Sequence, residues 1–308
     1  MTDTNIVEDG VRPFSAQKDD RIVKMIIGQG IMEGLAYANR RVYTHMFSLS
    51  LWVILSLVLD KHLGYTVDPA IVITWFSPLI GFGLTALPLL GLVEFLHRPK
   101  FTRHLRETIG SPDLVSIANY YSAPESTVLV LHHKDLLVGV IAVDAVHAAE
   151  EQASVLGGDD GEITDASVKV DLPLDKIRQS KKAAGLRQRV PARKTKSEHP
   201  GLAQIRHLDV DALYRRAGVA TELLAAALDK SFGISPKAVS SIEQVIVLTS
   251  PFTPGKEEIF RKFGFKPVPS GTSLMWPAPR RLGVLGWKGR WMSISKSEWA
   301  AKRNVLFK

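Results

Sequence analysis

Cysteine is absent from this chain of 308 residues. Its absence excludes a disulfide framework, a thiolate metal site and a cysteine nucleophile, and with them several classes of enzyme. The Walker lysine pattern and the G-x-G-x-x-G pattern are also missing, which argues against nucleotide-binding loops of those two kinds. We expect no metal site in the chain.

Acidic residues are in the minority. The chain has 31 of them against 39 lysines and arginines, which gives a formal net charge of +8. A basic balance favours anionic partners such as nucleic acid, lipid headgroups or phosphate-bearing cofactors, and composition does not choose among them. With 45% hydrophobic residues, the chain has enough apolar side chains for the core of one large domain or two ordinary ones.

Two long hydrophobic runs lie in the first third of the chain. Residues 42–59 contain one side chain that ionises near neutral pH, His45, and residues 69–93 contain none. Each run is long enough to cross a hydrocarbon layer, which needs about 20 residues in a helix. Basic residues flank the pair on both sides, so we predict a transmembrane hairpin at 42–96 with both termini in the cytosol. Two alternatives stay open: a pair of buried core helices, or a re-entrant second segment.

The remaining sequence alternates between strand and helix patterns. A strand and a helix precede the hairpin, and a short helix and two β-rich runs follow it. After a long gap the pattern is strand, helix, strand, helix and two closing strands. We therefore divide the chain into a first strand and helix, the hairpin, a continued α/β unit, a charged insert, a second α/β half and a basic tail. Their bounds are 1–41, 42–96, 97–147, 148–200, 201–282 and 283–308.

The insert 148–200 and the tail 283–308 have unusual charge patterns. Within the insert, Lys176 to Lys196 holds nine basic residues and no acid, a pattern typical of a flexible solvated loop or of a segment that docks on anionic lipid. It contains no aromatic residue to stack on bases, so we expect no nucleic acid as a partner. The tail combines three tryptophans with basic residues, which fits either the headgroup layer or the core aromatics of a final sheet layer.

A cationic turn precedes an apolar helix that begins near Val219. Arg215 and Arg216 stand where a helix start normally favours acids, because the helix dipole and unpaired N–H groups make that end positive. No Ser, Thr, Asn or Asp stands immediately before the helix as a cap, and Gly218 and Ala220 keep the first turn bare. This arrangement is favourable when an anion binds, so we predict a phosphate ligand. An ordinary basic helix start is the alternative.

This turn and the elements around it resemble the GCN5-related N-acetyltransferase (GNAT) family. The family's signature, Q/R-x-x-G-x-G/A, falls on Arg215, Gly218 and Ala220, and VRPFSAQKDDRIV at residues 11–23 looks like its first strand and helix. A membrane hairpin after that helix, with H-x-x-V-D before R-R-x-G, is similar to the camello-like branch. The members of that branch are membrane-bound N-acetyltransferases of the endoplasmic reticulum.

The resemblance implies an α/β fold with a mixed, mostly antiparallel central sheet flanked by helices and a transmembrane hairpin inserted after the first helix. It also implies acetyl-CoA as the donor, with its pyrophosphate in the cationic turn and its pantetheine along one strand. The cofactor-binding residues expected on this basis are Leu208, Asp209, Val210, Arg215, Arg216, Ala217, Gly218, Val219 and Ala220. The expected partners are the lipid bilayer and an amine acceptor, either a protein lysine or N-terminus or a small molecule.

His207 is the best candidate for the general base of acetyl transfer, since an ordinary histidine with a pKa of about 6.5 suits neutral pH. Strand alternation predicts that it shares a face with Asp209 and Asp211, and that Arg206 lies on the opposite face. A structural histidine at this point of a strand is the alternative.

One catalytic group of the family is missing from the sequence. Family members often have a tyrosine that protonates the departing thiolate, with Asn and Ala upstream, and the corresponding places hold Phe260, Thr253 and Lys256. A hypothesis of a different class therefore stays open, a catalytically degenerate scaffold or chaperone of the endoplasmic reticulum. The layout is compatible with a fungal membrane-hairpin protein that packages the phosphate transporter, so this hypothesis implies a membrane-protein client.

Overall fold

The fold is described from a computed structural model of the chain, for residues 9–64, 76–145, 201–234, 240–268, 281–283 and 285–306. The predicted insert 148–200 and the closing strand predicted at 272–278 lie outside the described residues. The helices are α1 Ala16–Tyr43, α2 Met46–Leu63, α3 Ser77–Ile109, α4 Pro112–Val115, α5 Ile117–Tyr120, α6 Val219–Ser231, α7 Pro254–Phe263 and α8 Lys296–Leu306. The strands are β1 Gly10–Pro13, β2 Thr127–His133, β3 Leu136–Asp144, β4 Leu202–Val210, β5 Gln244–Thr249, β6 Lys266–Pro267, β7 Arg281–Leu282, β8 Trp287–Lys288 and β9 Arg290–Ser295.

Seven strands form one mixed sheet in the order β1-β2-β3-β4-β5-β9-β6. Among the described strands, only β4 and β5 pair in parallel, and their pairing ends at Ile205 and Val247. Both strands nevertheless continue, β4 to Val210 and β5 to Thr249. The two strands therefore splay apart. The expected fold class, a mostly antiparallel mixed sheet flanked by helices, is confirmed.

Helices cover both faces of this sheet. On one face α6, α7 and α8 pack on a core that includes Ile205 and Leu223, both almost fully buried. On the other face α1, α4 and α5 cover a second core around Ile26 and Val140. The short turn between β2 and β3 forms at Lys134 and Asp135, whose φ angles of 50° and 63° suit a tight hairpin.

The tail belongs to the sheet and its core. Strand β9 lies between β5 and β6, and α8 follows it. Trp299 is fully buried, and its ring stacks on Phe263 with the centroids 5.5 Å apart. Trp291 is also buried. These two tryptophans therefore pack in the protein core and do not lie in a headgroup layer.

Helices α2 and α3 form the predicted hairpin. Their segments Met46–Leu63 and Leu79–Ile109 are long and apolar enough to cross a membrane, and 11% of the most apolar 18 residues of each is buried. A core helix of a soluble protein would bury most of its apolar side chains. Here large exposed hydrophobic residues cover the outside of both helices.

Polar groups of the hairpin lie in the seam between the two helices. Trp52 Nε1 donates to the carbonyl oxygen of Phe82 at 3.2 Å, and the hydroxyl oxygens of Ser56 and Thr85 are 2.7 Å apart. Asp60 lies in the same seam and is only 6% exposed. An apolar exterior around a polar seam is the arrangement that suits hydrocarbon surroundings.

The helices do not begin and end with the hydrophobic runs. Helix α1 continues through residue 42 to Tyr43, and α2 begins only at Met46. Helix α3 continues beyond Val93 to Ile109, across the predicted boundary between residues 96 and 97. A hydrophobic run shows only which part of a helix suits lipid. The helical hydrogen bonding of the backbone continues beyond that run, so the helix extends into the sheet domain.

Candidate active site between the splayed strands

A cavity of about 170 Å³ lies where β4 and β5 separate. Its walls come from α1, the end of α3, β4, β5 and α7. The predicted residues His207, Leu208 and Asp209 all line it. Phe101 and Thr108 of α3 line it as well, so the helix with the second hydrophobic run also forms a wall of the site.

Strand β4 has a β-bulge at Arg206. The register against β3 shifts between the pairs made by Ile205 and His207, which leaves Arg206 as the extra residue. As a result the side chains of Arg206 and His207 both reach Asp113 of α4. The prediction that Arg206 lies on the opposite face from His207 is therefore wrong, because a bulge interrupts strict alternation.

His207 is oriented by a buried carboxylate. Its Nε2 lies 2.8 Å from Asp113 Oδ2, and its side chain is 10% exposed. Burial alone would raise the pKa of Asp113, but the hydrogen bond and charge of His207, the charge of Arg206 and a hydrogen bond from Ser111 together hold that pKa well below its usual range. An ionised carboxylate only accepts hydrogen bonds. His207 therefore donates through Nε2–H, and in the neutral ring Nδ1 is the acceptor nitrogen.

Arg206 balances two buried carboxylates. Its Nε lies 3.2 Å from Asp144 Oδ2, its Nη1 lies 3.8 Å from Asp113 Oδ2, and its guanidinium lies over the Tyr120 ring at 5.0 Å. Burial would lower the pKa of Arg206, but neighbouring Tyr121, Tyr120 and the two carboxylates raise it. Arg206 is therefore a permanent cation that favours the ionised form of Asp113.

Asp209 makes an ion pair across the cavity. Its Oδ1 accepts a hydrogen bond from Lys256 Nζ of α7 at 2.5 Å, and the two side chains are 8% and 33% exposed respectively. Helix α1 approaches the same carboxylate at Gly30, where a Cβ would overlap it. Asp211, which follows the end of β4, accepts from the Leu213 backbone N–H at 2.9 Å and does not line the cavity.

The segment Leu208–Val210 pairs with β3 along one edge. Its other edge faces the splay, since the described ladder with β5 ends at Ile205. The Leu208 side chain itself is buried in the core beneath α6. The carbonyl oxygen of Val210 in this segment accepts a hydrogen bond from Arg215 Nε at 3.3 Å.

The turn before α6 is open and conformationally strained. Arg216 has a φ of 64° and Gly218 a φ of 91°, and no side chain caps the helix that follows. A positive φ at a non-glycine residue costs on the order of 1 kcal/mol and often marks a functional site. A Cβ on Gly218 would meet no heavy atom within 4 Å. Ala217 is exposed, whereas Val219 and Ala220 pack against the core.

The two arginines of the turn differ in their surroundings. Arg215 forms an ion pair with Glu33 of α1, with side chains 44% and 32% exposed. Arg216 is exposed, and among the described residues its side chain makes no hydrogen bond or ion pair. A carboxylate of the protein thus neutralises one arginine of the predicted anion site and leaves the other available.

The described residues bring no tyrosine to the cavity. Phe260 lines the cavity but is 2% exposed and packs in the core. The Tyr214 ring lies 5.9 Å from the His133 ring and is not part of the lining. Thr253 does line the cavity. Within the described ranges no three or more histidine and carboxylate side chains gather as a metal site would need.

Sequence reasoning missed two neighbours of the candidate site residues, Asp113 and Glu33. Asp113 stands 94 residues before His207 and belongs to a one-turn helix, where it reads as an ordinary first-turn acid. Glu33 lies inside a long helix, one acid among its polar residues. No local pattern signals either contact, because only the packing of α1 and α4 on the sheet creates them.

No family model and no curated protein matches the chain. An N-acetyltransferase from Staphylococcus aureus Mu50 shares 8% identity and a TM-score of 0.39, over 94% of this chain and 99% of that one. A putative acetyltransferase from Salmonella typhimurium, solved with its cofactor acetyl-CoA, shares 8% identity and a TM-score of 0.37, over 94% of both chains. Mutant forms of the spermidine/spermine N-acetyltransferase SpeG from Vibrio cholerae share 11% identity and a TM-score of 0.35, over 62% of this chain and 75% of that one. Likenesses this remote assign neither family nor activity.

Proposed function

We propose that the chain is a membrane-bound N-acetyltransferase, similar to the camello-like branch of the GNAT family, that transfers acetyl from acetyl-CoA to an amine. The observation that carries this proposal is the splay of β4 from β5 beside an uncapped, cationic helix start. Together the two features offer one ligand a strand edge for its amide groups and a set of N–H donors for its phosphates.

The turn from Arg215 to Ala220 is the proposed diphosphate site. Backbone N–H groups at the start of α6 and the Arg216 guanidinium would bind the phosphates, and Arg215 would join them on leaving Glu33. The open space in front of Gly218 supports this placement, because a side chain there would hold a phosphate away from the backbone. Acetyl-CoA supplies the activated acetyl thioester, and the splayed edge of Leu208–Val210 would bind its pantetheine amides.

His207 is the proposed general base. The acceptor amine attacks the thioester carbonyl and gives up a proton, which His207 takes at Nδ1 while Asp113 holds its Nε2–H. The ionised Asp113 then stabilises the imidazolium, and Arg206 keeps that carboxylate charged. The acceptor is a primary amine, either of a protein or of a small molecule.

The hairpin of α2 and α3 supports anchoring in a lipid bilayer by two spans. The resemblance to the camello-like branch is the ground for proposing the endoplasmic reticulum as its membrane. We propose that the sheet faces the cytosol, because Arg40 and Arg41 before the hairpin and Arg98 and Lys100 after it favour the cytosolic side. Protease treatment of sealed microsomes is then expected to cut the insert 148–200. Protection of that insert would place the sheet in the lumen instead.

A catalytically degenerate scaffold or chaperone with a membrane-protein client is the second candidate. The burial of Phe260, at the place where the family carries its acid, favours this alternative. It predicts a folded, membrane-inserted protein that binds its client and transfers no acetyl group.

Acetyl transfer by the purified full-length protein in detergent, measured with labelled acetyl-CoA and a panel of primary amines, distinguishes the two. We expect transfer by the parent protein, and His207→Ala should lower kcat by about 10²-fold to 10⁴-fold, the usual effect of general acid–base help. His133→Ala is the matched control, since His133 does not line the cavity. An undiminished rate in His207→Ala removes the base assignment, and a folded but inactive parent favours the scaffold.

A further inference from the structure

Lys256 brings an ammonium group to the cavity from the first turn of α7. Its Nζ donates to Asp209 Oδ1 at 2.5 Å, and the close approach of α1 at Gly30 fixes the position of that carboxylate. Asp209 lies between Leu208 and Val210, in the segment proposed to bind the pantetheine arm. The ammonium group therefore lies beside the strand along which the thioester would extend.

The structure separates the roles of Lys256 and Phe260, which are one helical turn apart on α7 and share a face of it. Both residues line the cavity, but Phe260 is 2% exposed and has no proton to give, whereas the Lys256 side chain is 33% exposed and carries an ammonium group. Two threonine hydroxyls of the lining are already engaged, since Thr249 and Thr253 donate to backbone carbonyls at 2.8 and 3.3 Å. Lys256 is thus placed to do what the missing tyrosine does in the family.

We propose that Lys256 is the general acid that protonates the departing thiolate, an assignment that rests on the proposed acetyl transfer. As the amine nitrogen bonds to the carbonyl carbon, the carbon–sulfur bond breaks and Lys256 Nζ delivers one proton to the sulfur. His207 removes one proton from the amine nitrogen in the same turnover. Both side chains then exchange protons with water, so the products are an amide and a thiol and neither group changes its charge over the cycle.

General physical chemistry supports an ammonium group in this role. A lysine ammonium and a tyrosine phenol have similar ordinary acidities, with pKa values of about 10.4 and 10. Asp209 holds the ammonium in one orientation through the hydrogen bond to its Oδ1. The exposed third of the Lys256 side chain gives water access to return the proton after each turnover.

The test compares Lys256→Arg and Lys256→Met with the parent, with Lys262→Arg as a matched control on the exposed side of α7. Arginine retains the charge and can pair with Asp209, but it does not release a proton, so it separates acid catalysis from structural pairing. The kcat for amine acetylation is measured with acetyl-CoA and with an acetyl thioester of an aromatic thiol, whose more acidic thiol leaves without help. Thermal unfolding and CoA binding confirm that each variant is folded.

We expect both Lys256 variants to lose about 10²-fold to 10⁴-fold in kcat with acetyl-CoA, as for other general acids, and to approach the parent rate with the aromatic thioester. Full activity of Lys256→Arg with acetyl-CoA would overturn the assignment and leave Lys256 as a structural or purely electrostatic cation. An equal loss with both thioesters would overturn it as well. A folded parent that is inactive with both donors would reject the proposed function, and this assignment with it.

Discussion

Glu33 of α1 and Arg215 of the turn before α6 form an ion pair that joins the first helix to the proposed diphosphate site. The side chains are 44% and 32% exposed, so the pair is worth only about 0 to 1 kcal/mol. A diphosphate carries more charge than one carboxylate and also reaches the backbone N–H groups. Glu33 therefore competes weakly for Arg215 and does not block the site.

Replacement of this carboxylate should strengthen CoA binding. Glu33→Gln removes the competing charge, so we expect the Kd of CoA to fall by about 2-fold to 5-fold, the equivalent of up to about 1 kcal/mol. Asp20→Asn is a suitable control, because it breaks the Lys24–Asp20 ion pair on the same helix, roughly 20 Å away at 1.5 Å per residue. Calorimetric titration measures both constants. A Kd that is unchanged or higher in Glu33→Gln would mean that Arg215 does not contribute to binding.

Asp113→Asn keeps His207 but removes the carboxylate that orients it, so this variant tests whether orientation matters for catalysis. The neutral amide no longer stabilises an imidazolium and permits the wrong tautomer, so kcat for acetyl transfer should fall by at least about 10-fold to 100-fold. CoA affinity should stay close to that of the parent, since Asp113 contacts His207, Arg206 and Ser111 rather than the turn before α6. Parallel kcat and binding measurements check this, and a variant with the parent kcat would show that His207 needs no orienting carboxylate.

The low pKa of Asp113 also predicts how stability depends on pH. A carboxyl whose native pKa is depressed contributes stability at all pH values above its unfolded pKa of about 3.9, and the contribution disappears as the pH falls towards the native value. Asp113→Asn should therefore be less stable than the parent at pH 7, by roughly 1 to 3 kcal/mol. The difference should shrink below about pH 4. Denaturant unfolding at several pH values measures it, and a constant difference would contradict the assignment of the low pKa to Asp113.

The hairpin seam offers a test with a matched pair of glycines. A Cβ on Gly81 would overlap Asp60 Oδ1, whereas a Cβ on Gly83 would meet no heavy atom within 4 Å. We expect Gly81→Ala to lower the Tm in detergent by several degrees, since a buried clash typically costs about 1 to 3 kcal/mol. Gly83→Ala should leave the Tm unchanged or raise it. Equal effects of the two substitutions would contradict the packing of α2 on α3.

Local sequence patterns correctly predicted the elements whose structure depends only on their own residues. The run TVLVLHH, the pair Lys134–Asp135 and the run that follows predict β2, the turn and β3, because alternation and turn chemistry are local properties. The apolar helix before Gly233 is α6, and the basic turn before it is uncapped as expected. The two hydrophobic runs likewise predicted the hairpin helices, although not their ends.

Contacts between distant segments could not be predicted in this way. The bulge at Arg206 depends on how β4 lies against β3, and alternation along one strand gives no sign of it. Asp113 reaches His207, and Glu33 reaches Arg215, only after helices pack on the sheet. Trp299 belongs to a basic segment whose composition also fits a membrane surface. Only its stacking on Phe263 shows that it packs in the core.

The most direct test of the central claim is the shift in Tm that CoA produces in the full-length protein and in the double variant Arg215→Glu/Arg216→Glu. A ligand that binds only the folded state raises the Tm, so we predict a clear rise for the parent. The double variant should lose that rise, because two charge-assisted contacts are worth about 3 to 6 kcal/mol, or roughly 10²-fold to 10⁴-fold in affinity. Lys18→Glu/Arg21→Glu is the control with the same change of charge at the far end of α1, and it should keep the rise. An equal rise in both double variants, or none in the parent, would contradict a diphosphate site at the start of α6.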